Sequence, residues 1–265
     1  MDLPTRDKSK NLVENSVCFS EDPTLTSIVN EVTASQLTKL NLNTSHHDNE
    51  EFYEKAKKYW ETVSPTIDGI LGGFAEVSPR DIQSSAQLLT AIFRLKPRPG
   101  RSRALDCGAG IGRVTKHLLM RFFEKVDLVE QCPQFAAQIP EYVGDTKHLG
   151  EIYTQGLQDF TPEAGKYDVI WTQWVLGHLT DDDLVAFWRR CISGLAKGGV
   201  IVMKENTSSS NEVEVDNEDS SVTRPLKLIR QLLRHAGLRE IRIQKQENMP
   251  RGLFPIYMIV MRASR

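Results

Sequence analysis

Ten residues constrain this chain more than any others: Ala104-Leu105-Asp106-Cys107-Gly108-Ala109-Gly110-Ile111-Gly112-Arg113. A short apolar run breaks into alternating glycines, then leads into a helical pattern from Val114 to Phe123. Strand, glycine-rich turn and helix, in that order, bring bare backbone against the polar end of a ligand at a helix N-terminus. The register does not fit a dinucleotide turn, G-x-G-x-x-G, whose third glycine would fall on Arg113. Here the pattern from Asp106 to Gly112 is D-x-G-x-G-x-G.

Around this turn, apolar runs alternate with helical patterns, which predicts a parallel sheet with crossover helices. Strands are expected at Arg103–Cys107, Lys125–Glu130, Ile152–Thr154, Tyr167–Thr172 and Val200–Lys204. Helices are expected near Gly112–Phe123, Pro133–Tyr142, Asp181–Leu195 and Pro225–Ala236. Two late strands, Leu238–Gln246 and Pro255–Met261, have no helix between them and should pair antiparallel. Before the first strand lie two helices, Glu50–Thr62 with Asn49 as N-cap and Ser78–Arg94, joined by a Gly-rich apolar loop. They read either as a cap over a site or as ordinary packing on the sheet edge. Residues 1–49 are rich in Ser, Thr, Asn and Asp and read as a disordered extension to a domain spanning 50–265.

At 265 residues the chain suits one α/β domain with an appendage, and a formal net charge of −2 offers no field for a nucleic-acid backbone. No apolar run reaches the length of a membrane span. The four cysteines are scattered without a C-x-x-C pair, which suits reduced thiols and no metal site. A monomer of the nucleus and cytoplasm is expected.

In an open sheet of this kind, ligands sit beyond the C-terminal strand ends. An acidic residue opening the Gly-rich turn fits the D/E-x-G-x-G-x-G signature of S-adenosylmethionine (SAM)-dependent methyltransferases; the plain reading is a turn that binds nothing. Glu130, ending the second strand, suits ribose hydroxyls or is a solvated carboxylate. Gly156-Leu157-Gln158 follows the third strand and could frame an adenine. After the fourth strand, Gln173 and Trp174 can wall a methyl-donor site, and His178 is either a general base or a packed side chain. The Asn/Asp-Pro-Pro-Tyr motif of base-amine methylation is absent there. The polar segment Thr207–Ser221 is either a flexible surface loop or an acidic wall for a cationic substrate.

The blocks Tyr59-Trp60, Asp68–Gly73, Leu105–Thr115, Gly156–Pro162, Tyr167–Trp171, Gln173–Thr180 and Asp219–Val222 closely resemble the eukaryotic protein N-terminal (alpha-amino) methyltransferases. The resemblance runs from about Glu51 to the C-terminus, and Gln-Trp-Val-x-Gly-His-Leu-Thr is highly specific. It implies a class I SAM-dependent methyltransferase fold: a Rossmann-like, open, mostly parallel seven-stranded sheet with an antiparallel last strand and an N-terminal helical cap. It also implies methylation of the free α-amine of proteins beginning X-Pro-Lys or X-Pro-Arg after Met removal. By position, Gly108, Arg113, Glu130, Leu157, Gln158 and Gln173 would contact SAM, with Glu130 standing where the family usually has Asp. Arg113 would pair with the donor carboxylate, and His178 and Asp219 would orient and deprotonate the amine. Asn206 would hold the second-position proline with Trp174 nearby. Asp216, Asp219 and Ser221 would receive the third-position cation. Leu71 and Gly72 would line the groove, with Tyr59 and Trp60 beside the donor. Gly252 stands where the family tends to carry an acid, and Phe254 where it tends to have Tyr. Other readings are a small-molecule or side-chain methyltransferase, or a catalytically weak peptide-binding homologue.

Overall fold

A computed structural model describes residues 46–145 and 147–264. The chain divides after Ser45, and the second unit, His46–Arg265, carries everything below. Of the disorder expected for residues 1–49, the part up to Ser45 lies outside the described residues, and residues 46–49 are instead helical. Helix α1, His46–Thr62, begins ahead of the expected cap, so Asn49 sits inside the helix. An Asn favours a cap without compelling one, and what fixes α1 is tertiary: Tyr53 Oη donates to Asp183 at 2.5 Å and accepts from the Thr180 amide at 3.2 Å. A short α2, Ile67–Ile70, and a 3₁₀ turn, Ala75–Val77, lead to α3, Ser78–Ile92, with proline in its first turn.

Strand β1, Arg103–Cys107, precedes α4, Arg113–His117, and β2, Lys125–Val129, precedes α5, Pro133–Val143. Strand β3, Leu149–Tyr153, and β4, Tyr167–Gln173, are followed by α6, Asp181–Gly194, and β5, Leu195–Asn206. A small hairpin of β6, Glu214–Asp216, and β7, Ser221–Thr223, comes before α7, Leu226–His235. Strands β8, Leu238–Lys245, and β9, Ile256–Ala263, close the chain. The seven-stranded sheet runs β3-β2-β1-β4-β5-β9-β8. Strand β1 pairs parallel with both β2 and β4, and β9 runs antiparallel to both β5 and β8. The fold is the one the sequence predicts.

Side chains alternate across the strands and fill both faces. Leu105, Ile170 and Ile201 pack with Phe187 and Trp188 of α6 and Ile229 of α7. Ala104, Val169, Trp171 and Val202 pack on the other side with Leu88, Leu89 and Ile92 of α3. The chain order reverses between β1 and β4, so the crevice beyond Cys107 and Gln173 is where a ligand fits.

Two expectations are corrected. The helix expected over Gly112–Phe123 stops at His117, because Leu118 leaves helical dihedrals (φ −124°, ψ −70°) before a 3₁₀ turn at Leu119–Arg121. Leu118, Leu119 and Phe123 are all buried at and beyond that break. The Thr207–Ser221 segment is not structureless either: Val215 pairs with Val222 across β6 and β7.

Candidate functional site

Both glycines that open the turn after β1 have positive φ, 69° at Gly108 and 55° at Gly110, the left-handed region that glycine enters without strain. The Gly110 amide donates to Glu130 Oε2 at 2.7 Å, and the Cys132 amide to Oε1 at 2.8 Å. Glu130 therefore ties the end of β2 to the turn after β1. Burial raises its carboxyl above the ordinary range, and the two amide bonds oppose that. With two lone pairs on each oxygen, it still has capacity for hydroxyl donors.

All six residues expected on the donor side, Gly108, Arg113, Glu130, Leu157, Gln158 and Gln173, line one cavity of about 100 Å³. Leu157 is buried, and Arg190 of α6 holds its loop by donating to the carbonyls of Leu157 (2.8 Å), Gln158 (2.9 Å) and Phe160 (2.8 Å).

A second cavity of about 370 Å³ adjoins the first, and Trp60, Leu71, Trp174 and His178 line both. Its walls include Asn206, Asp219, Ser221 and Phe254 as expected, together with Gly252. Three expected residues are not on these walls. Tyr59 faces the acids of the β6–β7 hairpin, where burial, and then Glu218, Asp219 and Asp216, raise its phenol. Gly72 is exposed, and a Cβ built there would meet nothing within 4 Å. Asp216 is exposed at the end of β6. Tyr59 stands one residue before Trp60 on α1 and so about 100° around the helix from it, while Gly72 in its turn and Asp216 at its strand tip lie open to solvent.

His178 sits where the cavities meet. Its Nε2 accepts from the indole N–H of Trp60 at 3.1 Å, and its Nδ1 lies 3.4 Å from the Ser220 carbonyl. A carbonyl only accepts, so Nδ1 carries the proton and Nε2 presents its lone pair. Asp219 Oδ2 is 4.0 Å from that Nε2. Burial pulls the imidazole below its ordinary range, while Asp219, the Ser220 carbonyl and Asp216 pull it upward. Among the described residues, Asp219 Oδ1 and Trp174 Nε1 are buried without a hydrogen-bond partner. Trp174 has φ 52°, unusual for a bulky residue, and its amide donates to the Lys204 carbonyl at 3.1 Å.

The turn carrying His178 is held from both sides. Glu205 Oε1 accepts from the amides of Val175 (2.8 Å) and Leu176 (2.9 Å). Arg224 donates to the Leu176 carbonyl (2.9 Å), the Leu179 carbonyl (2.5 Å) and Asp181 (2.7 Å). Behind the first cavity, buried Asp81 joins three side chains. It takes Arg113 at 2.7 Å, the Gln173 amide at 2.9 Å and the fully buried ammonium of Lys204. Burial works to raise the Asp81 carboxyl, but Lys204 and Arg113 outweigh it and hold the group below the usual carboxylate range. Asp81, Lys204, Glu205 and Arg224 escape a motif reading because their partners lie far off in sequence. Charged residues inside otherwise apolar strand and helix patterns, Lys204 after Ile201-Val202-Met203 and Asp81 before Ile82, were the available signal.

A family model described as AdoMet-dependent proline di-methyltransferase matches residues 48–262. Alpha N-terminal protein methyltransferase 1 of Drosophila melanogaster is 54% identical over 213 residues, covering 79% of this chain and 75% of that protein. Human N-terminal Xaa-Pro-Lys N-methyltransferase 1 is 45% identical over 217 residues, covering 81% of this chain and 97% of that protein. Among solved structures, a SAM-dependent methyltransferase from Leishmania major superposes with a TM-score of 0.77 at 35% identity, covering 86% of this chain and 90% of that one.

Proposed function

Because this chain belongs to the family of AdoMet-dependent proline di-methyltransferases, we propose that it transfers methyl groups from SAM to the free α-amine of proteins beginning X-Pro-Lys or X-Pro-Arg. The observation that carries the reading is the meeting of two cavities at His178, one with the makings of a donor site and one with a carboxylate whose Oδ1, on Asp219, has no hydrogen-bond partner among the described residues.

The donor-side residues fit SAM chemically. Arg113 offers a guanidinium for a carboxylate, Glu130 accepts from ribose hydroxyls, and Leu157 and Gln158 give an apolar wall and an amide for an adenine. Gly108 and Gly110 keep side chains out of the space between. SAM supplies an electrophilic sulfonium methyl. The chain's own task is to deliver an amine with a free lone pair, because an α-ammonium has a pKa of about 7.7 to 8.0 and is largely protonated at neutral pH.

His178 and Asp219 suit that task. An ammonium between them would donate to the carboxylate and to the Nε2 lone pair, and it would displace the Trp60 indole from that lone pair. The neutral imidazole then takes the proton, and Asp219 steadies the resulting cation. Asn206, at the end of β5, is placed to hold backbone at the second residue, with Trp174 as a flat wall beside it. Asp219 and Ser221 receive the third-residue cation, and Asp216 adds to the field from the hairpin. Phe254 supplies an apolar edge without a hydroxyl.

The test is methyl transfer from labelled SAM to an X-Pro-Lys peptide and to its N-acetylated form. Transfer to the free peptide alone is expected. Equal transfer to both would overturn the α-amine reading.

A further inference from the structure

The strongest unassigned feature is the buried charge cluster behind the donor cavity. Lys204 lies beside Gln173 in the β4–β5 register and is 0% exposed, as is Asp81. The ammonium sits on Asp81 Oδ1 and also donates to Ser85 Oγ (2.9 Å), the Asp81 carbonyl (3.1 Å) and Ser84 Oγ (3.3 Å). The other carboxylate oxygen takes Arg113 at 2.7 Å, and the Gln173 amide spans both oxygens at 2.9 Å. Two cations thus share one carboxylate. Only Arg113 and Gln173 reach the cavity wall.

A buried ion pair is a poor device for stability, since apolar residues of the same volume often serve as well or better. A lysine in the centre of this sheet needs another reason. If Asp81 faced Arg113 alone, the two would neutralise each other, and Arg113 would have little attraction left for an incoming carboxylate. With Lys204 occupying the same acid, part of the guanidinium field remains directed into the cavity.

We infer that Lys204 is a positioning residue for the methyl donor: by engaging Asp81 it leaves Arg113 free to bind the donor's carboxylate. The inference rests on the SAM reading of the first cavity. It predicts effects of opposite sign at two residues that touch each other. Lys204→Met should weaken binding, Asp81→Asn should strengthen it, and the double variant should return near the wild type. A purely scaffolding network would weaken binding in all three.

The experiment is calorimetric binding of S-adenosylhomocysteine and of its decarboxylated analogue, which differ only in the carboxylate. For Lys204→Met, affinity for S-adenosylhomocysteine should fall about tenfold, roughly 1.4 kcal/mol, with the decarboxylated analogue nearly unchanged. The double variant should recover to within about threefold of wild type, or roughly 0.7 kcal/mol. Equal losses for both ligands, or a double variant as weak as Lys204→Met, would overturn the inference. So would failure of the double variant to fold, since a pair kept for its field should be replaceable without loss of the fold. If the wild type binds neither ligand, it is the SAM reading that fails. If it prefers the carboxylate-bearing ligand but the variants lack the pattern, the Lys204 role alone fails.

Discussion

His178 shows how one side chain takes its chemistry from distant parts of the chain. Its proton is fixed on Nδ1 by the Ser220 carbonyl, its Nε2 is met by Trp60, and its charge state is balanced between burial and Asp219. Burial lowers the imidazole and keeps it neutral to a lower pH than a free histidine. Asp219 opposes that shift. Replacing Asp219 with Asn removes the opposition, so the acid limb of kcat/KM should move to lower pH while the plateau drops by about 100-fold, the usual scale for losing one acid–base participant. A pH–rate profile with the X-Pro-Lys peptide checks this. A limb that stays in place would mean that His178 does not set it.

At the scale of elements, the glycine turn and the His178 turn are fixed by different means. The first depends on conformation. Gly108 has φ 69°, and an added Cβ would lie 2.4 Å from Val175 Cγ2. Gly108→Ala combines roughly 1–2 kcal/mol of left-handed strain with that clash, and should reduce S-adenosylhomocysteine affinity more than tenfold by calorimetry. The second depends on buried charge. Burial pushes the Glu205 carboxyl up to about 7, although the amides of Leu176 and Val175 pull the other way. A raised carboxyl pKa stabilises the fold fully below the unfolded value of about 4.5, and that contribution is lost as pH climbs through about 7. At about 1.4 kcal/mol per unit, Glu205 contributes a fall of order 3 kcal/mol between pH 4 and 8. Asp106, pushed up by burial to about 6, adds to the same slope. Glu205→Gln keeps an oxygen for both amides and should raise the melting temperature at pH 8 while flattening its pH dependence.

These two turns also mark what the sequence could reveal. Strands β1, β2 and β4 were legible because apolar runs of five to seven residues have few other uses, and the glycine turn because its φ values demand glycine; the start of β3 at Leu149 and of β5 at Leu195 was not. The β6–β7 hairpin was not. Its strands are three residues long, β6 is exposed throughout, and its acids hide the alternation. The lining of the first cavity was legible where its residues lie at or after strand ends, as Glu130, Leu157, Gln158 and Gln173 do. The clamp on the His178 turn was not, because Glu205 and Arg224 meet it across 29 and 48 residues of chain.

For the molecule as a whole, the formal charge of −2 says little, but its distribution says more. Glu214, Asp216, Glu218 and Asp219 all lie on the β6–β7 hairpin beside the second cavity. A substrate beginning X-Pro-Lys carries its charge toward them. With a screening length of about 10 Å at 0.1 M salt, shrinking to about 3 Å at 1 M, KM for such a peptide should rise several-fold between those concentrations. The KM for SAM should change much less, because Arg113, which would face its carboxylate, is buried. Steady-state kinetics at two salt concentrations separate the cases.

The contacts of α1 carry a consequence for synthesis. Trp60 waits 118 positions for His178, and the Phe52 carbonyl waits 168 for the Ser220 hydroxyl. The helix leaves the ribosome long before its partners exist, and contacts of such separation form late. Every chain shortened before Ser220 therefore lacks the carbonyl that faces His178 Nδ1, whatever else has folded. On the proposed reading, turnover requires a chain made at least through Ser220.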